Sequence, residues 1–329
     1  ADGCAIVWSA WSGRQLRRLR HGLKVRLFEV HVFPDGDRVA TLGSDERALI
    51  WSTASGEVLQ RLRARGEKVQ GPRKHHAMWV FPQGDRVVTG ASYAWEDPVV
   101  VWNATDGKAL MRLAQLGDNI RAFELSPCGT RLVTGGSSSL VVWDAESGRQ
   151  LVELAGRPKW VSGIAVSERA EKVVVNSIAG WLLVFDGVAG GITHHLLLYA
   201  TVFAFAIFPG GRMLVAQSNS EVGIWDMELG LRVGSVEVGG ADSFDSFAFS
   251  FDGAVIAGCG RSEGGAQTTV VWDAAAGRRL HAITVAAAPG AAQHGRRGRC
   301  SVAVGAGGSF SGWLPSGDAP QDRYCWSKK

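Results

Sequence analysis

Seven times the chain places an aromatic residue at the end of a short apolar run and a glycine five positions later: Trp8/Gly13, Trp51/Gly56, Trp102/Gly107, Trp143/Gly148, Phe185/Gly190, Trp225/Gly230 and Trp272/Gly277. Successive aromatics stand 43, 51, 41, 42, 40 and 47 residues apart. A period near forty means one supersecondary unit written repeatedly, each copy unable to bury its apolar face without neighbours. The runs leading to the aromatics, such as Ala48-Leu49-Ile50-Trp51 and Leu140-Val141-Val142-Trp143, are β-branched and aliphatic, which suits a strand covered on both faces. Four residues between aromatic and glycine, followed by another apolar stretch, predict a tight hairpin.

A second turn motif stands upstream in most units: Phe33-Pro34-Asp35-Gly36, Phe81-Pro82-Gln83-Gly84, Ser126-Pro127-Cys128-Gly129, Phe208-Pro209-Gly210-Gly211 and Phe251-Asp252-Gly253. Proline presets φ at one turn position and glycine serves where φ is positive. Each unit therefore holds an inner strand, a Pro/Gly turn, a second strand, a variable loop, the strand ending in the aromatic, the glycine turn and an outer strand. Four strands in forty residues make one propeller blade. The predicted fold is all-β, a seven-bladed β-propeller of four-stranded antiparallel blades.

These residues resemble the WD-repeat β-propellers, a family named for a Trp-Asp pair closing the third strand. The pair is literal at Trp143-Asp144, Trp225-Asp226 and Trp272-Asp273, and relaxed at Phe185-Asp186, Trp102-Asn103, Trp51-Ser52 and Trp8-Ser9. The resemblance covers about residues 1–285 and rests on two motifs recurring in register. The Gly-His dipeptide usual before the inner strand is missing, with only His21-Gly22 in reverse order. The family's buried His–Ser/Thr–Asp–Trp network is therefore not expected in most blades, and stability is expected to rest on apolar packing. For function the resemblance implies non-catalytic scaffolding of other proteins, in the cytoplasm or nucleus.

The boundaries follow the repeat: a half blade at 1–20, blades at 21–64, 65–114, 115–155, 156–198, 199–238 and 239–285, a linker at 286–299, closing strands at 300–316 and a tail at 317–329. One propeller uses the whole 329-residue length as a single domain. The half blade supplies only third and outer strands, so Cys300–Gly308 and Phe310–Leu314 are expected to complete it beside the strand ending at Trp8. The competing reading makes the chain a fragment of a longer protein, with Arg323–Ser327 beginning another third strand. The longest apolar stretch, Leu196–Phe208, is too short to span a membrane as a helix, and no signal segment opens the chain. The five cysteines are odd in number and lack metal spacing, which suits a reducing compartment.

The search for chemistry finds no phosphate-cradling loop, no nucleophile elbow and no metal cluster. No cofactor, metal or enzymatic activity is expected. His75-His76 and His194-His195 are tandem pairs, and neighbours in a strand point to opposite faces. Glu29, His31 and Glu124 fall in inner strands, where a propeller enzyme could build a site, but three groups from two blades read better as solvated channel lining.

Charge is more informative. Residues 1–76 hold fourteen Lys and Arg against eight Asp and Glu, and residues 278–329 hold eight against two, although the whole chain is only +4. Arg17, Arg18 and Arg20 lie on the first outer strand, and Arg61, Arg63 and Arg65 on or after the second, forming a basic rim. Such charges ordinarily guard sheet edges. The functional alternative is an anionic ligand, a phosphoinositide or RNA. A loop face offers a second surface: Tyr93 and Trp95 in an extended loop near Arg73 and Lys74, with Trp160 before the next inner strand. Aromatics beside cations are the mixture enriched at protein interfaces, so a protein partner is expected there.

Overall fold

A computed structural model of the chain describes residues 3–8, 14–23, 25–45, 47–62, 76–91, 99–113, 120–156, 161–177, 181–197, 202–218, 221–236, 243–250, 253–261, 267–285, 301–304, 310–313 and 325–326. Every regular element among them is a strand. A two-stranded sheet comes first, β1 (Cys4–Trp8) against β2 (Gln15–Arg20). Six four-stranded sheets follow, each in chain order from inner to outer strand. They are β3 (Leu27–Val32), β4 (Arg38–Gly43), β5 (Ala48–Ser52) and β6 (Val58–Leu62); β7 (His76–Val80), β8 (Arg86–Ala91), β9 (Val99–Asn103) and β10 (Ala109–Leu113); β11 (Ala122–Leu125), β12 (Arg131–Gly135), β13 (Leu140–Asp144) and β14 (Gln150–Glu153). The series continues with β15 (Val161–Val166), β16 (Lys172–Ser177), β17 (Trp181–Asp186) and β18 (Ile192–Leu197); β19 (Val202–Ile207), β20 (Met213–Ser218), β21 (Glu221–Asp226) and β22 (Leu231–Val236); β23 (Ser243–Phe249), β24 (Val255–Arg261), β25 (Gln267–Asp273) and β26 (Arg279–Val285). This is the fold class of the seven-bladed β-propeller, all-β with antiparallel four-stranded blades.

Beyond the seventh repeat, β27 (Ser301–Val304), β28 (Phe310–Trp313) and β29 (Cys325–Trp326) form a three-stranded sheet. Both edges of β28 are taken, by β27 and by β29.

The hairpin after each aromatic has one construction. Pairing runs regularly until the residue before the aromatic and then slips, so that Trp51 faces Val58, Trp143 faces Gln150, Phe185 faces Ile192, Trp225 faces Arg232 and Trp272 faces Arg279. The glycine amide donates back four residues, Gly148 to the Asp144 carbonyl and Gly277 to that of Asp273. The residue after the aromatic caps the turn with its side chain. Asp144 Oδ1 accepts from the amides of Glu146 and Ser147, Asp226 Oδ1 from Glu228 and Leu229, and Asn103 Oδ1 from Thr105 and Asp106. Ser52 Oγ accepts from Ser55 in the same place. Any short side chain with an acceptor oxygen performs this capping, so drift from Asp to Asn or Ser leaves the turn intact.

The chain forms two compact units, one of residues 1–170 with 187–191 and one of 171–186 with 192–329. In the first, Phe33, Ala40, Ile50 and Leu62 of β3–β6 pack on Met78, Val87, Val100 and Trp102 of the next blade. The opposite face of that blade, through Val88, Val101 and Leu113, packs on Phe123, Leu132 and Trp143. In the second, Phe208, Val215 and Ile224 meet Phe244, Ile256 and Trp272. A blade is thus covered on both faces by its neighbours. The turn glycines also serve this packing: a Cβ at Gly277 would run into the Ser235 carbonyl of the preceding outer strand.

The polar network is fuller than the sequence suggested. His21 Nδ1 is 2.8 Å from Thr41 Oγ1, the Trp51 indole donates to the same oxygen at 2.8 Å, and His21 Nε2 meets Asp45 Oδ1 at 3.1 Å. The reversed His-Gly order therefore still delivers an imidazole to the second blade. Trp102 donates to Thr89 at 2.8 Å and Trp143 to Thr134 at 2.7 Å, so the indole–threonine half of the network recurs in the next two blades.

Candidate functional site

Two surfaces carry unusual chemistry, both on strands. The first is the exterior. In β2 every residue but Leu19 is exposed, which places Arg17, Arg18 and Arg20 outward, and Arg61 of β6 is exposed as well. Arg17 is partly engaged: its Nε donates to the Ala54 carbonyl of the neighbouring hairpin at 2.8 Å and its Nη1 to that of Leu16. Arg63 and Arg65 lie outside the described residues, as do Tyr93, Trp95, Arg73, Lys74 and Trp160 of the expected loop face. Among the expected residues, the structure places only part of the rim.

Sequence reasoning missed the apolar half of this exterior. Eight positions after six of the seven aromatics, an aliphatic side chain of the outer strand stands in solvent: Leu16, Leu59, Leu110, Leu151, Val233 and Leu280, between 37 and 52% exposed; after Phe185 the place is taken by Thr193. Two residues further, on the same strand face, Arg18, Arg61 and Arg112 follow in the first three units, all exposed. The repeat itself carried the signal, since these residues share one register position.

The second surface lies on three inner strands of the first unit. Glu29 and His31, two apart on β3, share a face; His31 Nε2 stands 3.5 Å from Glu29 Oε2, an ion-pair distance without hydrogen-bond geometry. The His31 ring tilts against that of Trp79 on β7, centroids 5.2 Å apart and planes at 58°. On β11, Glu124 is half-buried. Burial pushes its carboxyl well above the ordinary value of 4.5, and the charge of Glu29 adds to the shift. The side chains of Glu29 and His31 are partly exposed, and Glu124 points to the strand face opposite the buried Phe123 and Leu125. No group of three or more His, Cys, Asp or Glu suited to a metal occurs among the described residues.

A family model, the WD domain, G-beta repeat, matches residues 110–144, the stretch from β10 to the literal Trp143-Asp144 pair whose carboxylate caps its turn. The chain is thus similar to the WD-repeat family over this stretch. It is also similar to Autophagy-related protein 16 of Arabidopsis thaliana, 24% identical over 186 residues, which is 56% of this chain and 35% of that relative. The chain matches about a third of the relative's length. Among the described residues no helix is long and apolar enough to cross a membrane.

Proposed function

We propose that this chain is a non-catalytic scaffold that binds protein partners through its exterior strands and loop face. One observation carries the reading: the same exposed leucine or valine recurs on six outer strands, with an arginine two residues on in the first three units. Exposed aliphatic side chains beside arginines suit protein docking, because burial supplies the affinity and the guanidinium the orientation. The extended loop with Tyr93 and Trp95, near Arg73, Lys74 and Trp160, would supply aromatic anchors to the same partners or others. The similarity to a plant autophagy-related protein makes autophagy the first setting in which to seek them. A cytoplasmic or nuclear place follows from the family resemblance alone, since Cys259 is disulfide-bonded and disulfides are rare in those compartments.

The test compares three variants of the full chain in proximity labelling: Leu59→Ser with Leu110→Ser, Trp95→Ala, and Arg18→Ala with Arg61→Ala. Loss of defined proteins with either of the first two, at unchanged melting temperature, is the expected result. A central anchor carries about 2 kcal/mol or more of binding, roughly thirtyfold in affinity. If only the arginine variant loses binding, and the lost ligand is RNA or phosphoinositide vesicles with steep salt dependence, the anionic-ligand reading replaces this one. An unchanged partner set in all three overturns both.

A further inference from the structure

Four polar side chains meet on the inner strands of the first unit without satisfying one another. The Nε2 of His31 and the indole Nε1 of Trp79 are shut off from solvent and have no hydrogen-bond partner. Among the described residues Glu124 makes no hydrogen bond or ion pair, and Glu29 meets only His31. A buried polar group left unpaired costs about 1–3 kcal/mol, and most buried polar groups of native proteins are paired. Two such atoms, His31 Nε2 and Trp79 Nε1, beside the partly exposed Glu29 and the half-buried Glu124, therefore form a surface complementary to something else.

The chemistry of the four groups specifies that complement. Two carboxyls call for a cation, and the indole face of Trp79 favours a weakly hydrated organic one. A neutral imidazole can accept a hydrogen bond through Nε2. The Trp79 Nε1–H can only donate, so the ligand must also bring an acceptor, which the backbone carbonyl of a peptide provides and a free polyamine does not.

We propose that Glu29, His31, Trp79 and Glu124 form a recognition pocket for a cationic side chain, arginine or lysine, presented by a partner peptide. The pocket deepens the scaffold reading, on which it rests for the source of the peptide. Glu29 and Glu124 hold the cationic head, the Trp79 ring covers it, and the Trp79 N–H takes a main-chain carbonyl of the same peptide.

Fluorescein-labelled pentapeptides, acetylated and amidated, with arginine, lysine or citrulline at the centre and alanines elsewhere, test this on the full chain by anisotropy. The arginine or lysine peptide is expected to bind, with citrulline at least about tenfold weaker, the loss of one charge-assisted interaction. Whichever cation binds more tightly identifies the side chain. Glu29→Gln and Glu124→Gln should each weaken the cationic peptide about fivefold or more by the same arithmetic and leave citrulline binding unchanged. Because Gln keeps the shape of Glu, Glu124→Gln should lose affinity without losing thermal stability, which separates recognition from a structural role. Equal binding of citrulline and arginine, or no saturable binding of any peptide at millimolar concentration, overturns the pocket. The scaffold reading survives that result if the exterior variants still lose their partners, so the two can fail separately.

Discussion

Ala170 is the only non-glycine residue with positive φ among the described residues, at 60°. It occupies, in the turn Ser167–Ala170, the place that glycine fills elsewhere: its amide donates to Ser167 as the Gly36 amide donates to Phe33 and that of Gly129 to Ser126. The left-handed conformation costs an L-residue about 1–2 kcal/mol, whereas glycine there forfeits about 0.4–1 kcal/mol through a more mobile unfolded chain. Ala170→Gly should therefore stabilise by about 0.5–1 kcal/mol. Gly36→Ala should cost a similar amount, because φ is 73° and no atom lies within 4 Å of the added Cβ. Urea midpoints moving in opposite directions at constant slope would confirm the pair; midpoints moving together would refute it. The turn was invisible in the sequence because Ser-Glu-Arg-Ala contains neither Pro nor Gly, the residues by which turns are recognised.

At the scale of one strand, the aromatic closing β13 combines burial with a hydrogen bond. Trp143 is 7% exposed, packs within a core shared by two blades and donates to Thr134. Trp143→Ala should destabilise by about 3–5 kcal/mol, the cost of emptying a large buried site. Trp143→Phe keeps much of the packing but removes the indole donor, for a loss of about 1–2 kcal/mol. Chemical denaturation that found Trp143→Phe as stable as the parent would show that apolar burial alone holds the strand. The recurrence of indole–threonine pairs in three blades was hidden because the threonine lies nine to thirteen residues upstream, across a loop of variable length. Only strand pairing brings the two together.

Over the whole molecule, two buried groups tilt stability in opposite directions with pH. Burial holds His21 below its ordinary 6.5, against the opposing pull of Asp45. Its contribution is fully present above that unfolded value and is lost as pH falls toward the folded one, so acid should weaken the fold from about pH 6.5 downward. Glu124, raised by burial, behaves in the reverse sense: its contribution is present below its unfolded value of 4.5 and is lost as pH rises toward the folded one. Glu124→Gln should therefore melt higher than the parent at pH 8, and the gap should close as pH is lowered toward 4.5. A gap that stays constant across melting curves at these pH values would mean that Glu124 titrates alike in both states.

By itself the sequence determined the strand content, the hairpin after each aromatic and the four-stranded unit, because the period of the aromatics, the alternation of apolar residues and the Pro/Gly turns are all local properties of the chain. It also exposed Arg17, Arg18, Arg20 and Arg61 as an outer basic row, since their strand was legible from the repeat. Three features waited for the tertiary structure: β28 and β29 as partners, His21 beside Thr41 and Asp45, and Glu29, His31, Trp79 and Glu124 at one place. Each depends on which side chains from different strands share a volume, and on how much water that volume excludes. Glu124 shows the reason most directly. In the sequence it is one carboxylate in a short strand; its raised proton affinity arises only when the folded chain desolvates it and brings Glu29 near from another blade.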